Sequence, residues 1–174
     1  MQPSHPFKVF KFCPKCSSPR FGISGERSLK CPDCGFHYFI NSVAAVAALV
    51  SDEKGNLLLT TRGVEPHYGK LDLPGGFIDP GETAEEAVVR ELYEELGLKV
   101  KALQYEGSST NEYIYAGISV FTLDLAFRVT PESVNGLKAM DDILEYRFYS
   151  YEEIDFEQIP APSIRIFVKK FFNK

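Results

Sequence analysis

Hydrophobic and polar positions change rhythm several times along this chain, and each change predicts an element. From Val43 to Val50 every residue is apolar, a run of 8 that suits a strand buried on both faces and falls far short of a membrane span. The strand is predicted over 43–51, the polar stretch Asp52-Glu-Lys-Gly-Asn56 reads as a hairpin turn, and 57–62 as the returning strand. Residues 63–72 read as a loop, and Leu73-Pro74-Gly75-Gly76-Phe77 as a tight bend that glycine permits. The period then becomes helical. Val88, Val89, Leu92 and Leu96 form one apolar stripe, Thr83 and Glu86 form a capping box, and Gly97 supplies a left-handed stop, which predicts a helix over 84–96. Alternation returns over 99–108 and 113–129, with Gly117 as a bulge, and 145–150 reads as a further strand. Ile164, Phe167, Val168 and Phe171 recur at i, i+3, i+4 and i+7, an amphipathic helix over 163–172. Strands mixed with two or three helices predict an α/β sandwich with a mixed sheet.

With 174 residues, 44% apolar and 25% charged, the chain can bury one full core and carry a small extra module. The net charge of −5 and the absence of a long Lys/Arg run speak against non-specific binding to a polyanionic duplex, so nucleic acid is not the expected partner. A small anionic substrate stays compatible, because bound cations invert the local sign. The first residues lack the apolar core of a secretory signal, and a cytoplasmic protein with no membrane partner is expected.

Cysteines occur as Cys13-x2-Cys16 and Cys31-x2-Cys34, with 14 residues between the pairs. A disulfide framework would need an oxidising compartment that nothing in the sequence indicates. The paired motifs instead resemble a zinc ribbon, in which four thiolates close a tetrahedral, structural Zn²⁺ site. Residues 1–40 are expected to form this ribbon, with the metal supplying much of its folding free energy, and 41–174 the second domain. His5, His37 and His67 form no ligand spacing.

Glu91, Glu94 and Glu95 fall at i, i+3 and i+4, so the helix gathers them on one side, beside the apolar stripe. Three clustered carboxylates repel one another unless cations sit against them, and hard divalent cations take oxygen ligands. Arg90 precedes Glu94 by four residues and can hold it. Two adjacent glutamates taken alone read as a solvated face; the glycine bend, the Arg-Glu pair and the terminal glycine reverse that reading. The whole stretch, Gly76-x5-Glu82-x7-Arg90-Glu91-Leu92-x-Glu94-Glu95-x-Gly97-Leu98, matches the Nudix signature, so the chain resembles hydrolases acting on nucleoside diphosphates linked to another moiety.

That resemblance implies a Nudix α/β/α fold and Mg²⁺ or Mn²⁺ held by Glu91, Glu94, Glu95 and the carbonyl of Gly76. Arg90 would position the carboxylates and Glu82 would give a supporting, water-mediated metal contact. The general base stays open between a glutamate of the signature and Glu112, Asp141, Asp142 or Glu145. A zinc ribbon joined to a Nudix domain resembles the NADH pyrophosphatase architecture. The run Glu106-Gly-Ser-Ser-Thr-Asn-Glu-Tyr113 departs from that subfamily's Pro- and Trp-bearing motif, and the chain has no tryptophan. ADP-ribose, NAD(H) and related nucleoside diphosphate derivatives are the expected substrates. Dinucleoside polyphosphates (Tyr115 falls at a suitable distance) and damaged nucleotides are alternatives, and a non-catalytic nucleotide-sensing or nucleic-acid-binding module is one of a different class. Arg62 and Lys70 are candidates for phosphates, and Tyr68, Phe77 or His67 for stacking on a base; the bland reading of each is a solvated or packed loop residue. A homodimer is left open.

Overall fold

The computed structural model describes all residues from Met1 to Lys174, in two compact units. The first comprises Met1–Ser42 with Glu112–Phe121, the second Val43–Asn111 with Thr122–Lys174.

In the first unit a short helix α1 (Pro6–Val9) precedes strands β1 (Gly22–Ile23), β2 (Ser28–Lys30) and β3 (His37–Phe39), which form an antiparallel sheet in that order. Its core holds few residues: Phe7, Cys13, Phe21, Leu29 and Cys31. Two of these five are cysteines, as expected where a metal replaces hydrophobic mass. The α1 segment was not legible in the apolar pattern. It is held by His5, whose Nδ1 accepts the Phe7 N–H at 3.2 Å, and by residues remote in sequence: Ser4 O accepts the Ser119 N–H at 2.8 Å, and the two serine hydroxyls bond at 2.8 Å.

The second unit contains β4 (Val43–Val50), β5 (Leu57–Arg62), β6 (Leu71–Asp72), α2 (Ala84–Leu96), most of β7 (Val100–Tyr115) and β8 (Ile118–Pro131), β9 (Ile143–Tyr149) and α3 (Pro162–Phe171). Strand order is β4-β8-β7 in one sheet and β6-β5-β9 in the other; β4 runs parallel to β8 and β5 antiparallel to both neighbours. The apolar run of β4 is explained by its two faces. Val46, Ala48 and Val50 pack with Val88, Leu92 and Leu96 of α2, whereas Ala47 and Leu49 pack with Ile164, Phe167 and Val168 of α3. A helix thus covers each side of the strands, the α/β/α sandwich with mixed pairing that the resemblance implies and a finer form of the α/β sandwich the pattern predicts.

Three expectations need correction. Gly117 is not a bulge: Ala116 (φ 47°) and Gly117 (φ 80°) make a two-residue turn with both residues left-handed, the geometry that matches strand twist in a hairpin. Strand β7 therefore runs on through residues 109–112, where four polar side chains hide the alternation and sheet pairing overrides propensity. Val89 leaves the apolar stripe and is 41% exposed, with Ala87 taking its place in the core. Residues 71–72 of the predicted loop form β6 by pairing with Thr60 and Thr61.

Candidate active site

The glycine bend is laid along β4 by backbone bonds. Ala48 N–H donates to Pro74 O and Val46 N–H to Gly76 O, each at 2.8 Å, and Ile78 N–H donates to Ala44 O at 3.1 Å. Gly75 needs its lack of a side chain: its φ is +143°, and a Cβ there would lie 2.9 Å from the Val46 carbonyl carbon. Helix α2 then starts where the capping box places it. Thr83 Oγ1 accepts the Glu86 N–H at 3.2 Å, and Glu86 accepts the Thr83 N–H at 2.8 Å. Gly97, at φ 64°, ends it.

Arg90 is the hub of the site. Its Nε and Nη2 donate to the two oxygens of Glu82 at 2.8 and 2.9 Å, and Nη1 donates to Glu91 at 2.9 Å and Glu94 at 3.0 Å. Nη2 also donates to Phe77 O at 3.0 Å, tying α2 to the bend. One guanidinium therefore fixes three carboxylates and a carbonyl, which a point-charge ammonium could not do. Bonds from Arg90 and the Asp79 N–H hold the Glu82 carboxyl down at about 2.

Glu91 and Glu95 face inward. Glu95 is 6% exposed, and its Oε2 accepts the Gly75 N–H at 3.0 Å. Burial pushes its carboxyl up to about 8; the Gly75 bond opposes this, and the charges of Glu91, Asp72 and Asp141 reinforce it. Burial also raises Glu91, against the pull of Arg90. Gly76 lies so close to Glu91 that a Cβ would sit 2.7 Å from its Cδ. The two inward carboxylates, Glu91 and Glu95, both raised by burial, offer oxygen ligands of the kind a hard divalent cation takes. Glu91, Glu95, the more exposed Glu94 and the free lone pair of the Gly76 carbonyl are the groups that would hold it.

Other candidates are dispersed. Arg62 donates to Asp72 Oδ2 at 2.8 Å and to Pro66 O at 2.9 Å, and Lys70 Nζ donates to Gln158 at 2.9 Å. Tyr68 and Phe77 are exposed; Tyr115 is exposed at the hairpin end, in the first unit. Among the acids suggested as base, Glu112 belongs to the first unit, Asp142 gives its carbonyl to the Gly63 N–H, and Glu145 accepts the Thr61 hydroxyl. Of the four, Asp141 is the one whose negative charge helps raise both Glu91 and Glu95. The chain brings it there by docking residues 138–140 on the end of α2: Lys138 N–H donates to Leu96 O at 3.2 Å and Met140 N–H to Glu95 O at 2.9 Å. No spacing rule reaches across that distance in sequence; a left-handed Asp141 (φ 51°) is its conformational mark.

The four cysteine Sγ atoms lie within 4.8 Å of one another, with Cys13–Cys34 and Cys16–Cys31 at 3.6 Å. Thiolates around a tetrahedral Zn²⁺ at ~2.3 Å stand about 3.8 Å apart, so the cluster fits zinc.

Comparison with known proteins agrees with this geometry. Curated relatives named NAD-capped RNA hydrolase NudC include one from Chromobacterium violaceum, 38% identical over 106 residues, covering 60% of this chain and 38% of that protein. Another, from Pseudomonas aeruginosa, is 34% identical over 155 residues, covering 89% of this chain and 51% of the relative. The chain thus spans about half, or less, of the length of these relatives. Among solved structures, a Nudix hydrolase from Nitrosomonas europaea shares the fold with a TM-score of 0.68 at 23% identity, covering 94% of this chain and 91% of that one. The MutT protein from Methanosarcina mazei Go1 matches with a TM-score of 0.56 at 27% identity over 76% of this chain and 91% of its own. The Nudix domain profile itself matches residues 41–171, from the foot of β4 to the end of α3, and the chain belongs to the Nudix family.

Proposed function

We propose that this protein is a Mg²⁺- or Mn²⁺-dependent pyrophosphohydrolase that cleaves the phosphoanhydride of a nucleoside diphosphate linked to a second moiety, with an NAD-like dinucleotide as the leading substrate. The observation that carries this is the pairing of Arg90 with Glu82, Glu91 and Glu94 beside the buried, protonatable Glu95. A binding module would gain nothing from crowding carboxylates at a cost in electrostatic energy. The name of the curated relatives supports the choice of dinucleotide.

A divalent cation, when bound, would neutralise the phosphate oxygens and make a coordinated water acidic enough to attack. The chain's own part is arrangement. Glu91, Glu94 and Glu95 present oxygens, and Arg90 holds two of these side chains in one orientation. The Gly75 N–H steers Glu95, and the glycine bend keeps Cβ atoms out of the space the carboxylates need. Asp141 we assign as the carboxylate that takes the proton from the attacking water, because the backbone bonds of Lys138 and Met140 to Leu96 and Glu95 set it beside the end of α2. Zn²⁺ in the cysteine cluster is structural, consistent with a cytoplasmic setting in which thiols stay reduced. No helix of the chain is long and apolar enough to cross a membrane.

The test is product release from NAD(H), ADP-ribose, diadenosine tetraphosphate and nucleoside triphosphates with Mg²⁺ or Mn²⁺, read by mass. Mononucleotide products from NAD(H) that vanish in Glu95→Gln and fall strongly in Asp141→Asn are expected. A wild-type protein inert towards the whole panel would refute the reading.

A further inference from the structure

The four cysteines of the ribbon are unequally placed. Cys13 and Cys31 are buried in its core, Cys34 is half-buried, and Cys16 is exposed. All four Sγ atoms lie within 4.8 Å of one another, and the approaches at 3.6 Å both run between the knuckles, Cys13 with Cys34 and Cys16 with Cys31. Within each knuckle the chain closes a backbone turn instead: Ser17 N–H donates to Cys13 O at 2.8 Å, and Gly35 N–H to Cys31 O at 3.0 Å. A cysteine that holds a metal is a thiolate, and the thiolate is also the form that attacks an oxidant. Burial shields Cys13 and Cys31, so Cys16 is the sulfur that a small solute meets first.

We propose that this cluster is an oxidation site as well as a metal site: a peroxide reacts at Cys16, Cys31 resolves the product, and the Cys16–Cys31 disulfide displaces Zn²⁺ while keeping the ribbon closed. In the first step the Cys16 thiolate attacks one oxygen of hydrogen peroxide. An S–O bond forms, the O–O bond breaks, hydroxide leaves, and Cys16 becomes a sulfenic acid. In the second step the Cys31 thiolate attacks that sulfur. The S–S bond forms, the S–O bond breaks, and a second hydroxide leaves. Two thiolates have then given up two electrons, which one peroxide has taken, and both hydroxides are protonated to water. Only Cys13 and Cys34 remain as ligands, and at 3.6 Å they stand ready to form a second disulfide with a second peroxide.

The pairing decides what becomes of the fold. Disulfides inside the knuckles, Cys13–Cys16 and Cys31–Cys34, would leave the two knuckles unlinked and a core of five residues without its staple. Disulfides between the knuckles enclose the same stretch, residues 17–30, that the metal closes, so Phe21 and Leu29 keep their packing. The ribbon thus exchanges a metal staple for a covalent one without unfolding. In a reducing compartment such disulfides are transient, the pattern of a redox sensor, and thiols reverse them. The inference is independent of the reaction at the glutamates.

The experiment adds hydrogen peroxide in molar steps to the full zinc-loaded chain, follows Zn²⁺ with a chromogenic chelator, and maps disulfides by mass spectrometry of unreduced peptides. Release of about one Zn²⁺ per chain is expected. Cys16–Cys31 should be the first disulfide and Cys13–Cys34 the second. Amide exchange of β2 should stay protected in the oxidised protein, and dithiothreitol with added Zn²⁺ should restore the metal. Cys16→His keeps four ligands, because imidazole also binds Zn²⁺, and removes the exposed thiolate. That variant should lose zinc to peroxide at least tenfold more slowly. Disulfides confined to Cys13–Cys16 and Cys31–Cys34, loss of β2 protection, or zinc retained by wild type through several equivalents of peroxide would overturn the proposal. Release from Cys16→His at the wild-type rate would do the same. If Cys16→His loads no zinc, the disulfide map of the wild-type chain decides alone.

Discussion

Gly76 and Glu91 are separated by the space of a single missing methyl group: a Cβ on the glycine would stand 2.7 Å from the carboxyl carbon of the glutamate. The neighbouring Gly75 has a different obstacle, since its Cβ would meet the backbone of Val46 and Ala47 at a φ of +143°. A side chain can swing away, and a β-strand backbone cannot. Gly76→Ala should therefore fold, with Glu91 displaced, and bind Mg²⁺ at least tenfold more weakly. Gly75→Ala should lose roughly 1–3 kcal/mol of stability from overpacking and strain. Denaturant melts and calorimetric metal titration of the two proteins would distinguish these outcomes.

Arg90 makes a harder demand than charge alone. Its fork spans Glu82 and still reaches Glu91, Glu94 and the Phe77 carbonyl. Lysine at this position keeps the charge and loses the geometry. Arg90→Lys is expected to lower kcat by about 10- to 100-fold, the usual scale for groups that orient metal ligands, while circular dichroism shows α2 intact. Activity within twofold of wild type would mean the carboxylates need no such clamp.

The pH dependence of metal binding has a definite sign. In the metal-free protein Glu95 holds its proton up to about 8, because burial disfavours the carboxylate. A raised carboxyl pKa means the folded state binds more protons than the unfolded chain between the ordinary glutamate range and about 8. The metal-free protein should therefore lose stability as pH rises through that window. A cation has to displace the same proton, so apparent Mg²⁺ affinity should climb as pH approaches 8 and flatten above it. Titration calorimetry in buffers of different ionisation enthalpy would count the released protons, and Glu95→Gln should release fewer than wild type between the ordinary glutamate range and about 8.

Much of this site could be read from the sequence because its rules are local. A capping box, a helical period and a terminal glycine fix α2, and with it the side on which Glu91, Glu94 and Glu95 gather. The Arg90–Glu94 pair is likewise a matter of spacing four apart. Asp141 was not singled out, because its place depends on backbone bonds between residues 138–140 and the end of α2, far off in the chain. The course of β7 through polar residues was hidden for the same reason: partners across a sheet made it a strand, not its own pattern. The grouping of residues 112–121 with the ribbon, through Ser119 and Ser4, left no trace in composition.

Arg62 shows how a cation that looks ready for phosphate can have its donors committed elsewhere. Its Nη1 meets Asp72 at 2.8 Å and its Nε the Pro66 carbonyl at 2.9 Å, while the Leu73 N–H donates to the other oxygen of Asp72. Burial raises the Asp72 carboxyl, and Arg62 is the leading influence that opposes it. Removing the arginine would strand a shielded carboxylate, a change that costs about 3–5 kcal/mol when fully buried; here, with both side chains partly solvated, about 2 kcal/mol is expected. Arg62→Ala should therefore lower the melting temperature by several degrees and leave KM for the nucleotide unchanged in the folded protein. A substrate contact would give the reverse pattern, a KM raised tenfold or more with an unaltered melt. Asp72→Asn combined with Arg62→Ala should recover part of the lost stability, since no charge is then left without its partner.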